Sequence, residues 1–360
     1  MRILLVRLRL IGDVVFTTPA IRALRRHYPH SRMTYLVESQ AAPIVEGNPH
    51  LDEVLVAPRS SGARRIAADW RLGRQLARRR FDLAIDFHGG PRGSWLTWLS
   101  RAPRRVGYQV AGRSWMYTDA MARPRALRPR HSVQNQWDLL AVLGIAPPTP
   151  AGDPVEMTED PAARARVARR LDAAGLGPAT PLVVVHVSAG NPFRRWPAES
   201  FSALAAGLVQ SDQSRAVVLT SGPSEAEAAE AIGARARALA GGAAAPRILR
   251  AGEFDLPELR ALVARASLYI GGDSGPLHVA GTTATPVVGL FGPTLAARSM
   301  PWRDPRVPAV AVEPGPLPCR PCSQRVCAPG DFRCLTWTPA ARVLEAAERA
   351  LAGEAERQTR

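Results

Sequence analysis

The sequence predicts an α/β protein made of two domains, each built on a parallel sheet. Strand-like and helix-like segments alternate twice along the 360 residues, and a Pro-rich break at residues 146–154 separates the two series. Several strands are continuous apolar runs, such as LVVVHV at 182–187, which is typical of a sheet covered on both faces. Ligands of such sheets bind beyond the carboxyl ends of the strands, and two facing domains form a cleft for two substrates.

The first half contains the elements of the first predicted sheet. We expect strands at residues 2–6, 33–37, 53–56 and 81–87, and helices from Thr18 and at 64–80 and 132–143. The helix at 64–80 carries apolar residues on or near one face, namely Ile66, Trp70, Leu72 and Leu76.

The second half repeats the alternation. Strands are predicted at 182–187, 216–220, 268–270 and 286–290, and helices at 161–174, 198–209, 224–239, 256–265 and 338–352. The predicted domains are therefore residues 1–150 and 155–335, joined by the Pro-rich linker and followed by a C-terminal helix and tail at 336–360.

The net charge of +16, from 47 basic against 31 acidic residues, favours a polyanionic partner. We expect no nucleic acid, because neither a zinc-finger helix nor an RNA-binding aromatic signature is present. An anionic membrane surface or an anionic acceptor fits better. The apolar start at residues 1–7 is too short for a signal peptide and reads as a strand, so a cytoplasmic protein is expected.

Residues 271–278, with the sequence GGDSGPLH, form the strongest candidate binding motif. Glycines after a strand let a ligand approach the backbone closely. Ser274 and the N–H groups of residues 275–277, beginning with Gly275, would point at an anion from a helix N-terminus, which predicts a diphosphate site. A strand-to-helix turn in which Asp273 or Ser274 is only an N-cap explains the pattern equally well.

Asp13 is a lone carboxylate in the turn after the first strand. A general base at this position could take a proton from an acceptor hydroxyl. By position alone, an aspartate that caps the following helix is the more common explanation.

Two more turns of the second half follow predicted strands. Ser188, Arg194 and Arg195 offer a hydroxyl and two guanidinium groups for a phosphate clamp, although solvated arginines are the alternative. His186 at the strand end is more often structural than catalytic. Glu225 could accept hydrogen bonds from ribose hydroxyls, or it could belong to a helix cap.

The order and spacing of four segments resemble glycosyltransferase family 9, the ADP-heptose:lipopolysaccharide heptosyltransferases, over nearly the whole chain. The segments are IGD with TPA at 11–20, RRWP at 194–197, DSG with HVA at 273–280, and GLFGPT at 289–294. The resemblance implies a GT-B fold of two Rossmann-like domains facing a central cleft. It also implies inverting transfer of a heptose from ADP-heptose to the lipopolysaccharide inner core.

The resemblance implies a role for each candidate residue. Residues 1–150 would bind the acceptor, with Asp13 as general base, and residues 155–335 would bind the nucleotide sugar. Ser188 matches a hydroxyl that contacts phosphate, and Glu225 a carboxylate near the ribose. The family usually has a lysine at the position of Arg194, so charge is kept but geometry changes. The ADP diphosphate and its surroundings would be held by Asp273, Ser274, Gly275 and His278.

The partners implied are ADP-heptose, a lipopolysaccharide core precursor and the anionic inner face of the cytoplasmic membrane, on which the protein would be peripheral. We expect a monomer that requires no cofactor or metal beyond its ADP-sugar substrate. Alternatives are a family 9-like transferase with another nucleotide sugar or glycan acceptor, and a non-catalytic protein that binds sugar nucleotides or polyanions. An NAD-dependent oxidoreductase is disfavoured, because no Gly-x-Gly-x-x-Gly follows the first strand.

All four cysteines fall between residues 319 and 334, and a cytosolic protein does not favour disulfides there. Their number suits a zinc or iron–sulfur site, but their spacing is not a pair of Cys-x-x-Cys knuckles. Reduced thiols in a packed loop and a metal site therefore both remain open for Cys319, Cys322, Cys327 and Cys334.

Overall fold

The computed structural model describes residues 1–59, 61–123 and 130–358. It divides the chain into two compact units, Met1–Thr158 and Glu159–Arg360. Each unit contains one six-stranded sheet. All strand pairs of both sheets are parallel. The predicted fold class, α/β with two Rossmann-like parallel sheets, is thereby confirmed.

The first unit orders its strands as 3-2-1-4-5-6. These strands are β1 (Arg2–Val6), β2 (Arg32–Glu38), β3 (Glu53–Ala57), β4 (Leu83–Asp86), β5 (Arg104–Tyr108) and β6 (Asp119–Met121). The α-helices are α1 (Ile11–Val15), α2 (Thr18–His27), α3 (Gly62–Arg78), α4 (Pro91–Leu99) and α5 (Ser132–Ala141). Because strand order proceeds outward in both directions from the β1/β4 pair, this pair is the topological switch point of the sheet.

The second unit has the same topology, with the strand order 12-11-10-7-8-9. Its strands are β7 (Leu182–His186), β8 (Ala216–Thr220), β9 (Ile248–Leu249), β10 (Leu268–Gly272), β11 (Val287–Leu290) and β12 (Ala309–Val312). Its longer α-helices are α6 (Pro161–Ala173), α7 (Ala198–Ser211), α8 (Ala226–Ala240), α9 (Leu256–Arg265) and α13 (Ala340–Gln358). Short helices are α10 (Gly275–Ala280), α11 (Ala296–Ser299) and α12 (Arg333–Thr336). The switch point lies between β7 and β10.

The central strands of the second unit are buried along their whole length. Every residue of β7, β8 and β10 is buried, as expected for strands covered by helices on both faces. The final helix packs on the same core through Val343, Ala346 and Ala347. The predicted C-terminal helix therefore belongs to the second unit, and it continues further than the sequence indicated.

The Pro-rich stretch does not end the first unit. Val155 and Met157 are buried, and Arg22 forms an ion pair with Glu156. The boundary consequently lies between Thr158 and Glu159, a few residues after the Pro-rich linker predicted at 146–154. The reason is that the residues after the prolines supply apolar and ion-pairing contacts within the first unit.

Helix α3 corrects a second prediction. Leu72 and Leu76 are buried, whereas Ile66 and Trp70 are 61% and 46% exposed. Residues two positions apart are separated by roughly 200° around a helix, so Trp70 and Leu72 cannot share a face. The face of α3 with Leu72 and Leu76 is therefore in the core, and the face with Ile66 and Trp70 is exposed. Among the helices of the described residues, none is both long and apolar enough to cross a membrane.

Candidate functional site

The predicted donor residues of the second unit lie at the carboxyl ends of neighbouring strands. In the β7/β10 pair, His186 stands opposite Gly271. Ser188 follows β7, Glu225 follows β8 and Asp273 follows β10. Because the chain continues from β7 to one side of the sheet and from β10 to the other, the turns after these strands border the place where such sheets bind ligands.

Arg194 and Asp273 connect the turns that follow β7 and β10. Nη1 of Arg194 donates to the main-chain oxygen of Asp273 at 2.9 Å and lies 3.2 Å from its Oδ2. The same carboxylate accepts a 2.6 Å hydrogen bond from Thr294 Oγ1, and its Oδ1 lies 3.6 Å from His278 Nε2. The structure thus brings three of the predicted site residues together.

Asp273 is ionised although it is almost fully buried. Burial alone would raise its pKa, but the hydrogen bond and charge of His278, the charge of Arg194 and the Thr294 hydroxyl lower the pKa to about 2. A carboxylate repels phosphate, so Asp273 is suited to hold Arg194 and His278 in place and not to contact a diphosphate itself.

Gln324 provides a second anchor for Arg194. Nε of Arg194 donates to Gln324 Oε1 at 2.7 Å, and Nδ2 of Asn191 donates to the same oxygen at 2.9 Å. Within the described part of the chain, Nη2 of Arg194 makes no hydrogen bond. This nitrogen remains available to an anion while the rest of the guanidinium group is fixed.

Ser188 and His186 form a buried hydrogen-bonded pair at the end of β7. Nε2 of His186 lies 3.2 Å from Ser188 Oγ, and Nδ1 lies 3.0 Å from Thr220 Oγ1. Burial lowers the pKa of His186 to about 4, so the ring is neutral at pH 7. His186 is thus a buried, hydrogen-bonded ring at the strand end, which is consistent with the structural reading. The Ser188 hydroxyl accepts from the Gly222 N–H at 3.1 Å and lies beside the turn after β8.

Arg195 and Glu225 form an ion pair at the same edge of the sheet. Nη2 of Arg195 donates to Glu225 Oε1 at 2.7 Å, and Nε donates to the Ala189 carbonyl at 2.8 Å. Glu225 stands at the N-cap of α8, yet its side chain makes no capping hydrogen bond. Glu225 is therefore not a helix cap, whereas Arg195 is an exposed arginine, as the alternative reading had it, that also pairs with this carboxylate.

The glycine-rich turn departs from its prediction in two ways. Leu277 N–H donates to the Ser274 carbonyl at 3.1 Å and Pro276 has no N–H, so only Gly275 of the three expected donors can face an anion. A Cβ on Gly272 would lie 3.3 Å from the Arg194 carbonyl oxygen, so this glycine accommodates the protein backbone.

Ser274 stands at the N-cap of α10 without capping it. Its Oγ is buried and has no hydrogen-bond partner among the described residues. Buried hydroxyls are normally paired, so this oxygen is a candidate ligand contact.

Asp13 lies in the first turn of α1, and its side chain is 31% exposed. The N-cap of this helix is Leu10, so the capping explanation for Asp13 is not what the structure shows. Asp13 instead accepts a hydrogen bond from Nη2 of Arg7. Nη1 of Arg7 donates to His88 Nδ1 at 2.7 Å. Because Arg7 follows β1 and His88 follows β4, these bonds span the switch point of the first sheet.

His88 is in turn fixed by buried groups. Asp86 Oδ1 accepts from the backbone N–H groups of His88 and Gly89 at 2.9 and 3.0 Å, and Oδ2 accepts from the Tyr117 hydroxyl at 2.7 Å. Burial lowers the pKa of His88, and the charge of Arg7 lowers it further. The neutral ring can accept at Nδ1, which orients Arg7 toward Asp13.

The cysteines are free thiols close to one another in the second unit. Burial raises the pKa of Cys334 to about 11, and the nearby Cys322, Cys319 and Cys327 add to this effect. In the described residues, no group of three or more His, Cys, Asp or Glu side chains is arranged to hold a metal ion.

A sequence profile of glycosyltransferase family 9 (heptosyltransferase) matches residues 69–331, more than half of the chain. The chain belongs to glycosyltransferase family 9. It is therefore a glycosyltransferase, as its motifs predicted.

This family 9 chain is 28% identical to lipopolysaccharide heptosyltransferase 3 of Escherichia coli over 348 residues, which are 96% of this chain and 97% of the relative. A family 9 glycosyltransferase of Veillonella parvula has a TM-score of 0.85 at 24% identity, covering 98% and 97% of the two chains. The ADP-heptose lps heptosyltransferase II of E. coli has a TM-score of 0.76 at 19% identity, covering 99% and 100%. These structural likenesses show the GT-B fold that the motifs implied.

The sequence pointed to the candidate residues of each unit but not to the groups that hold them. Thr294 was within a recognised motif, GLFGPT, without a role, and Arg7 lies six positions before Asp13, directly after the first predicted strand. Gln324 gave no signal, because it lies 130 positions from Arg194 in an irregular loop. His88 directly follows the strand predicted at 81–87, and this position at a strand end was the only signal for it.

Proposed function

We propose that this chain transfers a heptose from ADP-heptose to the lipopolysaccharide inner core, with inversion at the anomeric carbon. The observation that carries the proposal is the gathering of Ser188, Arg194, Glu225 and Asp273 in the turns beside the β7/β10 switch point, where sheets of this topology bind nucleotides. The choice of heptose as the sugar and of lipopolysaccharide as the acceptor is supported by similarity to lipopolysaccharide heptosyltransferases.

The donor is held by groups of the second unit. Nη2 of Arg194, the Ser188 and Ser274 hydroxyls and the Gly275 N–H bind the diphosphate, and Glu225 accepts from the ribose hydroxyls. Asp273 and Gln324 fix Arg194 before the donor arrives, so little reorganisation is needed when negative charge develops on the leaving ADP.

Asp13 is the general base of the proposed reaction. It takes the proton of the acceptor hydroxyl while that oxygen attacks the anomeric carbon, and the bond from this carbon to the ADP phosphate oxygen breaks. The electron pair leaves with ADP, whose charge the donor site stabilises. Arg7 orients Asp13, and the scheme uses no metal or cofactor besides the donor.

The lipid-linked acceptor brings the enzyme to the anionic inner face of the cytoplasmic membrane, where it is peripheral. The net charge of +16 supports this association. A monomer suffices, because all proposed groups belong to one chain.

The test is a transfer assay with mass spectrometry. The purified chain is incubated with ADP-heptose and with lipopolysaccharide precursors of increasing core length. The proposal predicts one precursor that gains the mass of a single heptose. Gain of a different sugar in parallel assays with other nucleotide sugars would favour the alternative donor. Binding of ADP-heptose without transfer to any precursor would favour a non-catalytic binding protein.

A further inference from the structure

Four of the eight tryptophans form a continuous row on the first unit. The ring centroids of Trp70 and Trp95 are 5.5 Å apart, those of Trp95 and Trp98 are 5.2 Å apart, and those of Trp98 and Trp115 are 5.5 Å apart. The row joins α3, α4 and the turn Ser114–Met116. Its rings are thus held in place by contact with one another.

The row is open to solvent at both ends. Trp70 is 46% and Trp115 is 60% exposed, and Ile66, one turn before Trp70 on α3, is 61% exposed. Trp95 and Trp98, in the middle, are half-buried. Large apolar side chains that cluster on a surface mark an interaction site, in contrast to single exposed ones.

All exposed charged side chains of α3 are positive. Its arginines, each of them exposed, are Arg64, Arg65, Arg71, Arg74 and Arg78. The one acidic residue of the helix, Asp69, is buried and forms an ion pair with Arg92. Ile66, Trp70 and Arg74 are spaced four residues apart and share one face. The tryptophan row therefore has a basic border without exposed acidic groups on α3.

We propose that this row together with Ile66 and the exposed arginines of α3, here called the Trp–Arg surface, binds the surface of an anionic phospholipid bilayer. Tryptophan prefers the headgroup level of membranes, where the ring is partly apolar and partly wet, and arginines attract anionic headgroups. A second copy of the chain is a poorer occupant, because a symmetric contact would set the arginines of two α3 helices against each other. The inference deepens the proposed function by naming the face that meets the membrane.

The experiment measures binding of the full chain to vesicles. One vesicle is phosphatidylethanolamine with phosphatidylglycerol, and the other is phosphatidylcholine alone. The variants are W70S/W115S, which removes the two exposed rings, and R71E/R74E, which reverses charge on α3. The matched control is Trp337→Ser with Arg306→Glu, since both side chains are exposed in the second unit. Circular dichroism melts check that each variant folds.

We expect the wild type and the control to bind the anionic vesicles. The affinity of each surface variant for these vesicles should be lower by about tenfold or more. Binding of the surface variants as tight as wild type, or equal binding of the wild type to both vesicles, would overturn the proposal. A change of oligomeric state in W70S/W115S with unchanged vesicle binding would overturn it too, in favour of a protein interface.

Transfer to a deacylated, water-soluble core acceptor separates this inference from the proposed function. The surface variants should retain this activity within about twofold of wild type, because the Trp–Arg surface lies outside the proposed catalytic groups. Loss of the activity in every preparation would instead count against the proposed function. In that case the vesicle-binding assay would still test the Trp–Arg surface, because it does not depend on transfer activity.

Discussion

The guanidinium group of Arg194 lies 3.2 Å from the Asp273 carboxylate and donates to the Asp273 carbonyl at 2.9 Å. This contact ties the turn after β7 to the turn after β10 at the switch point of the second sheet. The resemblance places a lysine at this position in most of the family. An arginine can bond Asp273, Gln324 and an anion with different nitrogens at once, which a lysine ammonium on a flexible stem cannot do in the same geometry.

Replacing Arg194 should weaken donor binding. Arg194→Ala removes a charge-assisted contact to the diphosphate, so the Kd for ADP, measured by calorimetry, should rise by about 10- to 100-fold. Arg349→Ala is the matched control, because Arg349 is exposed on α13 and pairs there with Glu345, outside the proposed donor site. An unchanged Kd in Arg194→Ala would show that Arg194 does not contact the donor.

Gln324 should act through Arg194. Gln324→Ala removes the acceptor of a 2.7 Å hydrogen bond from Arg194 Nε, and we expect the Kd for ADP to rise by about fivefold, the equivalent of one hydrogen bond. In the Arg194→Ala background the same change should have no further effect, because the two residues act as a unit. Additive effects of the two substitutions would contradict the anchoring role.

Much of this architecture could be predicted from the sequence, because alternation and apolar runs report directly on a sheet covered by helices. Helix α4 was not predicted, since its sequence PRGSWLTWL is apolar nearly all round and lacks a one-sided pattern. Strand β5, RRVGY, was also missed, because its two leading arginines break the continuous apolar run expected of a buried strand. Ile66 and Trp70 follow a helical spacing that indicates a core face, but spacing cannot tell a buried face from an exposed one.

The site was predictable to the same extent. Ser188 and Asp273 follow neighbouring strands of the second sheet, whose parallel topology brings these strand ends together, and Asp13 follows the first strand of the other sheet. The anchors were not predictable, because Gln324, Thr294 and Tyr117 reach their partners through tertiary packing. Roles for the candidates came from the family resemblance, and the structure adds which neighbours fix each of them.

The buried His186 should make stability depend on pH. Its pKa is lowered by burial from 6.5 to about 4, so the unfolded chain takes up a proton between these values while the folded chain does not. Above pH 6.5 the histidine is neutral in both states and costs no stability. As the pH falls from 6.5 to 4, the free energy of unfolding should decrease by roughly 3 kcal/mol. Urea titrations of wild type and His186→Asn across this range should show a flatter dependence in the variant.

The exposed His30 supplies the control for this measurement, since His30→Asn removes a histidine without removing a buried one. Its pH dependence should follow wild type. A His186→Asn profile parallel to wild type would mean that His186 does not cause the loss of stability.

The Tyr117 hydroxyl should stabilise the first unit. It lies 2.7 Å from both Asp86 Oδ2 and Ser94 Oγ, and all three groups are buried. Tyr117→Phe leaves the buried carboxylate short of a donor, so the free energy of unfolding should fall by about 1–3 kcal/mol. Tyr28→Phe, at a partly exposed tyrosine of the same unit, should change it little. Equal effects of the two substitutions in urea unfolding would refute the assignment.

The most direct test of the whole account is heptose transfer by Asp13→Asn. Asparagine keeps the size of the side chain but cannot accept the acceptor proton, so kcat should fall by about 10²- to 10⁴-fold. The Kd for ADP should stay as in wild type, because the donor groups belong to the second unit. Glu46→Gln, an exposed carboxylate change in the first unit, should transfer normally. Transfer by Asp13→Asn within a few fold of wild type would contradict the assignment of Asp13 as the general base.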